Sequence, residues 1–295
     1  MSKKRIILGC GYVGSALARE WLSQGFQVWG VSRNRETLSE IQHPDFHAVV
    51  ADVDSHDWHK QVPVDPGVLL NCVSSAGGGM EGYRKSYLGG NTSLLEWSRQ
   101  ADPRRILYTG STAVYPFSDG RKVFEEDAGG DLSERGEIIL KSERMLLENP
   151  QIGAKSTVLR LTGIYGPGRH SLLDRLRDGE TILPGDGDTF LNLIHLTDIG
   201  SAVEALLASE SGGGKAYNVS DGTPTKKTEV VRWLADRIGI ECPQFDPKAA
   251  GGRKMTVNRS GGPPNRQIQI DRIRKEIGWQ PTCPSFREGY ALMGV

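Results

Sequence analysis

Several absences narrow what this chain can be. It has no net charge, because 36 basic residues balance 36 acidic ones. A protein that binds nucleic acid through bulk charge carries a basic excess, so no nucleic-acid partner is expected. No apolar run approaches the ~18 residues needed to span a membrane. The basic start Lys3-Lys4-Arg5 is followed by only Ile6-Ile7-Leu8 before glycine, far short of a signal-peptide core of ~7–15 apolar residues. The expectation is a cytoplasmic protein with no membrane partner. Cysteine is scarce and scattered (Cys10, Cys72, Cys242, Cys283), with no C-x-x-C pair. In a reducing compartment these are free thiols. None of the six histidines stands in a ligand-like cluster with cysteine or acid, so no metal site is expected.

Glycine, by contrast, is abundant, at 37 of 295 residues against a typical ~7 %. Its most telling placement is near the N-terminus, where Ile6-Ile7-Leu8 runs into Gly9-Cys10-Gly11-Tyr12-Val13-Gly14. The apolar run predicts a strand buried on both faces. The glycines fall as G-x-G-x-x-G. Gly9 makes a tight turn, Gly11 lets a pyrophosphate approach the backbone, and Gly14 lets helix and strand pack closely. Val13, Ala16, Leu17 and Trp21 then follow at helical spacing. A helix that opens at Tyr12, Val13 and Gly14 aims N–H groups and a positive dipole end at the turn, which suits an anion. This stretch predicts a dinucleotide site. The bland alternative is a glycine turn that binds nothing.

The residues after the second strand, Phe26 to Val31, bear on which dinucleotide. A site for NAD usually ends this strand with an acid that accepts from the ribose hydroxyls. Here Ser32 stands at that position, followed by Arg33, with Arg35 nearby. An acid would repel a 2′-phosphate and an arginine fork binds one, so NADP is expected over NAD. The alternative is that both arginines are solvated loop charges. A third strand, His47 to Ala51, runs into Asp52 and Val53, placed to meet the adenine or to form a turn. A fourth, Gly67 to Val73, leads to Ser74-Ser75 and Gly77-Gly78-Gly79. Ser74 is expected to border the ligand at the C-terminal edge of a parallel sheet, as is Asn91 in the following helix. That helix, over 81–100, is predicted to break near Gly89-Gly90. Arg105 to Tyr108, Thr157 to Leu161 and a helix over Gly136 to Asn149 continue the alternation of strands and helices. This is the signature of an α/β doubly wound parallel sheet of the Rossmann type.

Taken together, the glycine turn, Ser111-Thr112-Ala113-Val114-Tyr115, Lys141, Leu159 through Gly168, Ile194-His195-Leu196-Thr197-Asp198 and Tyr217-Asn218-Val219 resemble the extended short-chain dehydrogenase/reductases. These form the NAD(P)-dependent epimerase/dehydratase family. The closing Ile277-Gly278-Trp279 resembles its YeeZ-like atypical subgroup. The resemblance implies a Rossmann cofactor domain over 1–165, completed by about 192–219. A smaller substrate lobe would be built from 166–190 and 220–295. It implies a small-molecule substrate, and family members often pair as homodimers. Gly163 stands where many nucleotide-sugar members carry a substrate-binding asparagine.

The family's chemistry uses a serine or threonine with a Y-x-x-x-K pair on one helix, where spacing of four places both side chains on one face. The phenol moves a proton, and the lysine holds the nicotinamide ribose and makes the phenol more acidic. Ser111 fits the serine position and Lys141 the lysine position. Four residues before Lys141 stands Glu137, not tyrosine. A carboxyl with an ordinary pKa of about 4.3 accepts protons near neutrality but seldom donates them. Glu137 is therefore either a base or half of an exposed i,i+4 ion pair with Lys141. Tyr83, Tyr115 and Tyr165 are other phenols; the last two read as packing residues, and His195 reads as structural. A basic, glycine-rich stretch over 247–266, with Arg253, Lys254, Arg259 and Arg266, reads as an anion contact or a solvated lid. Two functions follow. One is an NADP-dependent oxidoreductase or epimerase of a small polar metabolite. The other is an NADP(H) sensor without chemistry.

Overall fold

A computed structural model of the chain describes residues 2–75, 77–249 and 263–295. Arg253, Lys254 and Arg259 lie outside the described residues. Seven strands form a parallel central sheet. They are β1 (Lys4–Leu8), β2 (Gln27–Ser32), β3 (Phe46–Val50), β4 (Val68–Asn71), β5 (Arg105–Ser111), β6 (Ser156–Leu161) and β7 (Lys215–Val219). Their order is β7-β6-β5-β4-β1-β2-β3. β1 and β4 are buried over nearly their whole length, as their unbroken apolar runs require. The chain steps from β1 outward to β3 and then returns to β4 on the other side of β1. Leu8 is paired with both Val31 and Asn71. The loops after β1 and β4 therefore emerge side by side at the point where strand order reverses, which is where open α/β sheets bind ligands.

Helix α1 (Tyr12–Ser23) covers β1 with the expected stripe: Val13, Leu17 and Trp21 are buried. Each such side chain contributes roughly 1.5–3 kcal/mol. Gly25, at φ +81°, ends the helix in the left-handed conformation that glycine adopts without strain. Helix α2 (Arg35–Ser39) is capped by the Asn34 side chain, which accepts from Glu36 N and Thr37 N.

The 81–100 region differs from expectation. It forms α3 (Gly79–Arg84), a π turn over Lys85–Gly89 and α4 (Gly90–Ser98), without a break. Gly89 and Gly90 serve close packing instead. A Cβ at Gly89 would stand 2.9 Å from Asp54 Cβ, and one at Gly90 would stand 3.2 Å from Val53 Cγ2. Helix α5 (Glu134–Leu147) starts two residues earlier than its apolar pattern indicates.

The chain divides into two compact units, 1–114 with 134–160 and 203–217, and 115–133 with 161–202 and 218–295. Residues 115–133, 161–165 and 192–202 thus belong to the second unit, against the expected boundary at 165. One reason lies at Tyr115, which is fully buried. Its hydroxyl donates to Asn218 Oδ1 at 2.6 Å, and its carbonyl accepts from Arg266 Nη1 at 2.8 Å. Further on, Lys122-Val123 pairs with Gln267-Ile268. The second unit contains α6 (Ser171–Arg177), most of α7 (Leu196–Ala208), α8 (Lys227–Ile238), α9 (Asp271–Ile277) and α10 (Phe286–Leu292). Its core packs Leu173, Leu176, Val231, Leu234, Phe286 and Tyr290. Helix α10 closes the described chain after α9.

Candidate functional site

The glycine corner after β1 has the form its spacing predicts. Gly9 adopts φ +81°, and a Cβ there would stand 2.7 Å from the Val73 backbone after β4. Gly14 is equally closed: its Cβ would meet Gly9 O at 2.6 Å and Ile7 Cγ2 at 3.0 Å. Gly11 is the opposite case, with nothing within 4 Å of a Cβ. Two glycines are thus required by the protein's own packing, and the third opens onto free space. Ser15 N donates to Gly11 O at 2.7 Å and starts α1. No acid stands in the helix's first turn and no side chain caps it. The first-turn N–H groups of a helix have no acceptor within the helix, and its dipole favours an anion there. A cradle that a Cβ at Gly11 would fill, at a helix N-terminus, fits the pyrophosphate of a dinucleotide.

At the ends of β2 and β3, Ala51 N donates to Ser32 O at 3.2 Å and extends the ladder past the last paired residues. This brings Arg33 and Asp52 together. Arg33 Nε lies 3.4 Å from Asp52 Oδ1, both side chains being more than half exposed. Such a pair adds little to stability, and its charges remain accessible. Ser32 Oγ accepts from Asn34 N at 3.1 Å. Val53 packs under the start of α4, and its carbonyl accepts from Trp58 Nε1 at 3.2 Å. Ser74 is exposed beyond β4.

Asn91 is a different matter. It is 0 % exposed. Its Oδ1 accepts from Asn71 Nδ2 and its Nδ2 donates to Ser142 O, both at 2.8 Å. Asn71 Oδ1 in turn accepts from Val73 N at 3.2 Å. Expected as a cofactor ligand, Asn91 instead ties β4, α4 and α5 together, because a buried amide needs partners on both its donor and acceptor sides.

Helix α5 also turns its faces differently from the expectation. Gly136, Ile138, Ile139, Ser142, Glu143 and Leu146 are buried. Glu143 fixes the rotation. Its Oε2 accepts from Arg160 Nε at 3.0 Å and Nη2 at 2.9 Å, and a Cβ on Gly110 of β5 would stand 2.7 Å from its Oε1. Burial raises the Glu143 pKa and Arg160 opposes the rise. At about 100° per residue, Glu137 and Lys141 stand well round the helix from Ser142 and Glu143, on the side away from β5. Both are exposed. Of the two readings of this pair, base with ribose ligand or solvent-facing charges, the exposure of both side chains favours the second. A pair four apart on the inward side is Arg135 and Ile139. Ser111 ends β5, where its Oγ accepts from Ala113 N at 3.2 Å and starts a 3₁₀ turn (Thr112–Val114) packed on α5.

Among the remaining candidates, Tyr165 and His195 are buried in the second unit, in edge contact at 5.2 Å between ring centroids. His195 Nδ1 accepts from Thr197 N at 3.3 Å, and burial lowers its pKa. Arg266, read as part of a basic contact surface, is buried and holds the carbonyls of Tyr115 and Phe117. Gly163 is tightly enclosed, since a Cβ would stand 3.0 Å from Asn192 O. Among the described residues no cluster of His, Cys, Asp and Glu could hold a metal, no helix is long and apolar enough to cross a membrane, and all four cysteines are free. A separate cavity of about 320 Å³ lies at the opposite edge of the sheet, lined by Arg5, Phe26, Arg105 and Glu204 among others. Arg5 already pairs with Glu204 there at 3.0 Å.

An open sheet with a glycine cradle at its switch point is the arrangement of the Rossmann dinucleotide-binding folds. The pattern of the NAD dependent epimerase/dehydratase family matches residues 6–220, and the chain belongs to that family. It is 27 % identical over 288 residues to protein YeeZ of Escherichia coli K12, covering 96 % of this chain and 97 % of that one. It is 26 % identical to 2-alkyl-3-oxoalkanoate reductase of Stenotrophomonas maltophilia, covering 91 % and 84 %. A functionally unknown conserved protein from Silicibacter pomeroyi superposes with a TM-score of 0.77 at 26 % identity, over 99 % of this chain and 98 % of that one. DesIV, a dTDP-glucose 4,6-dehydratase from Streptomyces venezuelae with NAD and TYD bound, shares the fold. Its TM-score is 0.82 at 19 % identity, over 98 % and 95 % of the two chains.

Proposed function

We propose that the chain is an NADP-dependent oxidoreductase or epimerase of a small polar metabolite. The observation that carries this reading is the asymmetry of the three glycines: Gly9 and Gly14 are closed by packing, while Gly11 opens where a pyrophosphate would approach. Gly9, Gly11 and the turn through Tyr12, Val13 and Gly14 would hold the pyrophosphate. Ser32 and Arg33 would receive the 2′-phosphate, with Asp52 and Val53 near the adenine and Ser74 and Ser111 toward the nicotinamide. The bound nicotinamide supplies or accepts a hydride. Arg33 would exchange its exposed partner Asp52 for the phosphate, which its guanidinium can hold by two hydrogen bonds. The enclosed Gly163 leaves no side chain where nucleotide-sugar enzymes carry asparagine, which favours a smaller substrate.

The test is cofactor choice. Wild type is expected to bind NADPH at least about tenfold more tightly than NADH, a difference of about 1.4 kcal/mol. Ser32→Asp with Arg33→Ala should reverse the order. Equal binding of the two in wild type would overturn the NADP assignment.

The outward setting of Glu137 and Lys141 favours a second reading, an NADP(H) sensor that binds without turnover. That reading predicts tight binding and no oxidation or reduction of the nicotinamide with any substrate.

A further inference from the structure

The run from α3 to α4 places two phenols against the first turn of α5. Tyr83 is in α3 and Tyr87 in the π turn. Single π turns inside helices are rare and often mark functional sites. The rings lie 4.5 Å apart between centroids, tilted by 48°. Tyr87 is 8 % exposed, and Tyr83 is half-buried.

Tyr87 draws the Tyr83 pKa down against the burial that raises it, and the Ser75 backbone acts on Tyr87 in the same sense. Tyr87 is the more deeply buried of the two, and burial pushes its phenol further up. The Arg135 guanidinium lies 5.7 Å from the Tyr83 ring centroid, within cation–π range. Arg84 Nη2 to Glu134 Oε1, at 2.5 Å, fastens α3 to the same turn. Beneath the pair, Tyr108 Oη and Ser142 Oγ are 2.8 Å apart and buried. Burial pushes Tyr83 above its ordinary pKa, while Tyr87 and Arg135 act in the other direction. A phenol so placed stays protonated until an acceptor arrives, and its anion then has a hydrogen-bond donor and a cation beside it.

We propose that Tyr83 supplies the phenol that helix α5 lacks, giving its proton to the oxygen of a carbonyl substrate, with Tyr87 and Arg135 supporting the phenolate that remains. The proton leaves Tyr83 Oη as the C=O π pair moves onto the carbonyl oxygen. The hydride that reduces the carbon is the one supplied by the reduced nicotinamide, and the phenolate recovers its proton from water. This rests on the oxidoreductase reading above. It makes the Y-x-x-x-K spacing on α5 unnecessary, because the phenol and its cation come from two different helices.

The test uses Tyr83→Phe, Tyr87→Phe and Arg135→Leu in the full chain. Tyrosinate absorbance is followed against pH without cofactor. The Tyr83 transition is the wild-type curve minus that of Tyr83→Phe. In the other two variants, each subtracted against its own Tyr83→Phe double variant, it should move up by about one pH unit. An unmoved transition in both would overturn the proposal. In parallel, NADPH-dependent reduction of a panel of small ketones and aldehydes should fall about 100-fold or more in Tyr83→Phe, with NADPH affinity unchanged. Undiminished turnover in that variant would also overturn it. Failure of wild type to bind NADPH would instead defeat the dinucleotide reading, and the titration would still decide whether Arg135 and Tyr87 support the phenolate.

Discussion

The glycine corner and helix α5 make an instructive pair. In the corner, function depends on backbone. Gly9 and Gly14 each have a packing reason to lack a side chain, and Gly11 has none. These are local demands that any side chain would violate, so the spacing alone exposes them. On α5 the relevant property is which way the helix is turned. That rotation is set by distant partners, Arg160 in β6 and Gly110 in β5, both meeting Glu143. A motif of the right spacing in the wrong rotation presents its side chains to solvent.

The difference can be broken most severely at Arg160. Arg160→Met leaves the Glu143 carboxylate buried and unpaired, and should lower stability by roughly 3–5 kcal/mol in urea unfolding. The next effect lies in the corner. Gly14→Ala, with its Cβ 2.6 Å from Gly9 O, should lower stability by about 1–3 kcal/mol. Gly11→Ala should change it by no more than about 0.5 kcal/mol in the same assay. Equal losses would erase the distinction between the closed and open glycines. Asn91→Ala should destabilise by about 1–3 kcal/mol, because the Asn71 amide and Ser142 carbonyl lose their partner, while NADPH affinity stays as in wild type. A specific loss of affinity would restore Asn91 as a ligand. Smallest of all is Lys141→Ala, expected to leave stability within about 0.5 kcal/mol and NADPH binding unaltered. A large loss of binding would return Lys141 to the site.

Much of the fold was legible in the sequence. Most strand ends in the sheet were read to within one or two residues, because the buried strands are continuous apolar runs, while β5 runs three residues past Tyr108 to Ser111. The glycine corner was legible for the same reason: it lies beside a strand that can be recognised alone. Helix α5 was not. Ile138, Ile139 and Leu140 put apolar residues on three sides of it, so periodicity does not single out the inward face. Asn91 is hard to assign from sequence because a buried polar residue and a ligand-binding one look alike until their partners are known. Tyr83 and Tyr87, at spacing four, were a visible signal. What the sequence could not supply was Arg135, brought from 52 positions along the chain to the Tyr83 ring.

One titration bears most directly on the account: NADPH added to wild type and to Gly11→Ala, followed by calorimetry. The account predicts that wild type binds and that Gly11→Ala, folded as stably, binds at least about tenfold more weakly, since a methyl group would occupy the open side of the cradle. Equal affinity in the two proteins would contradict it.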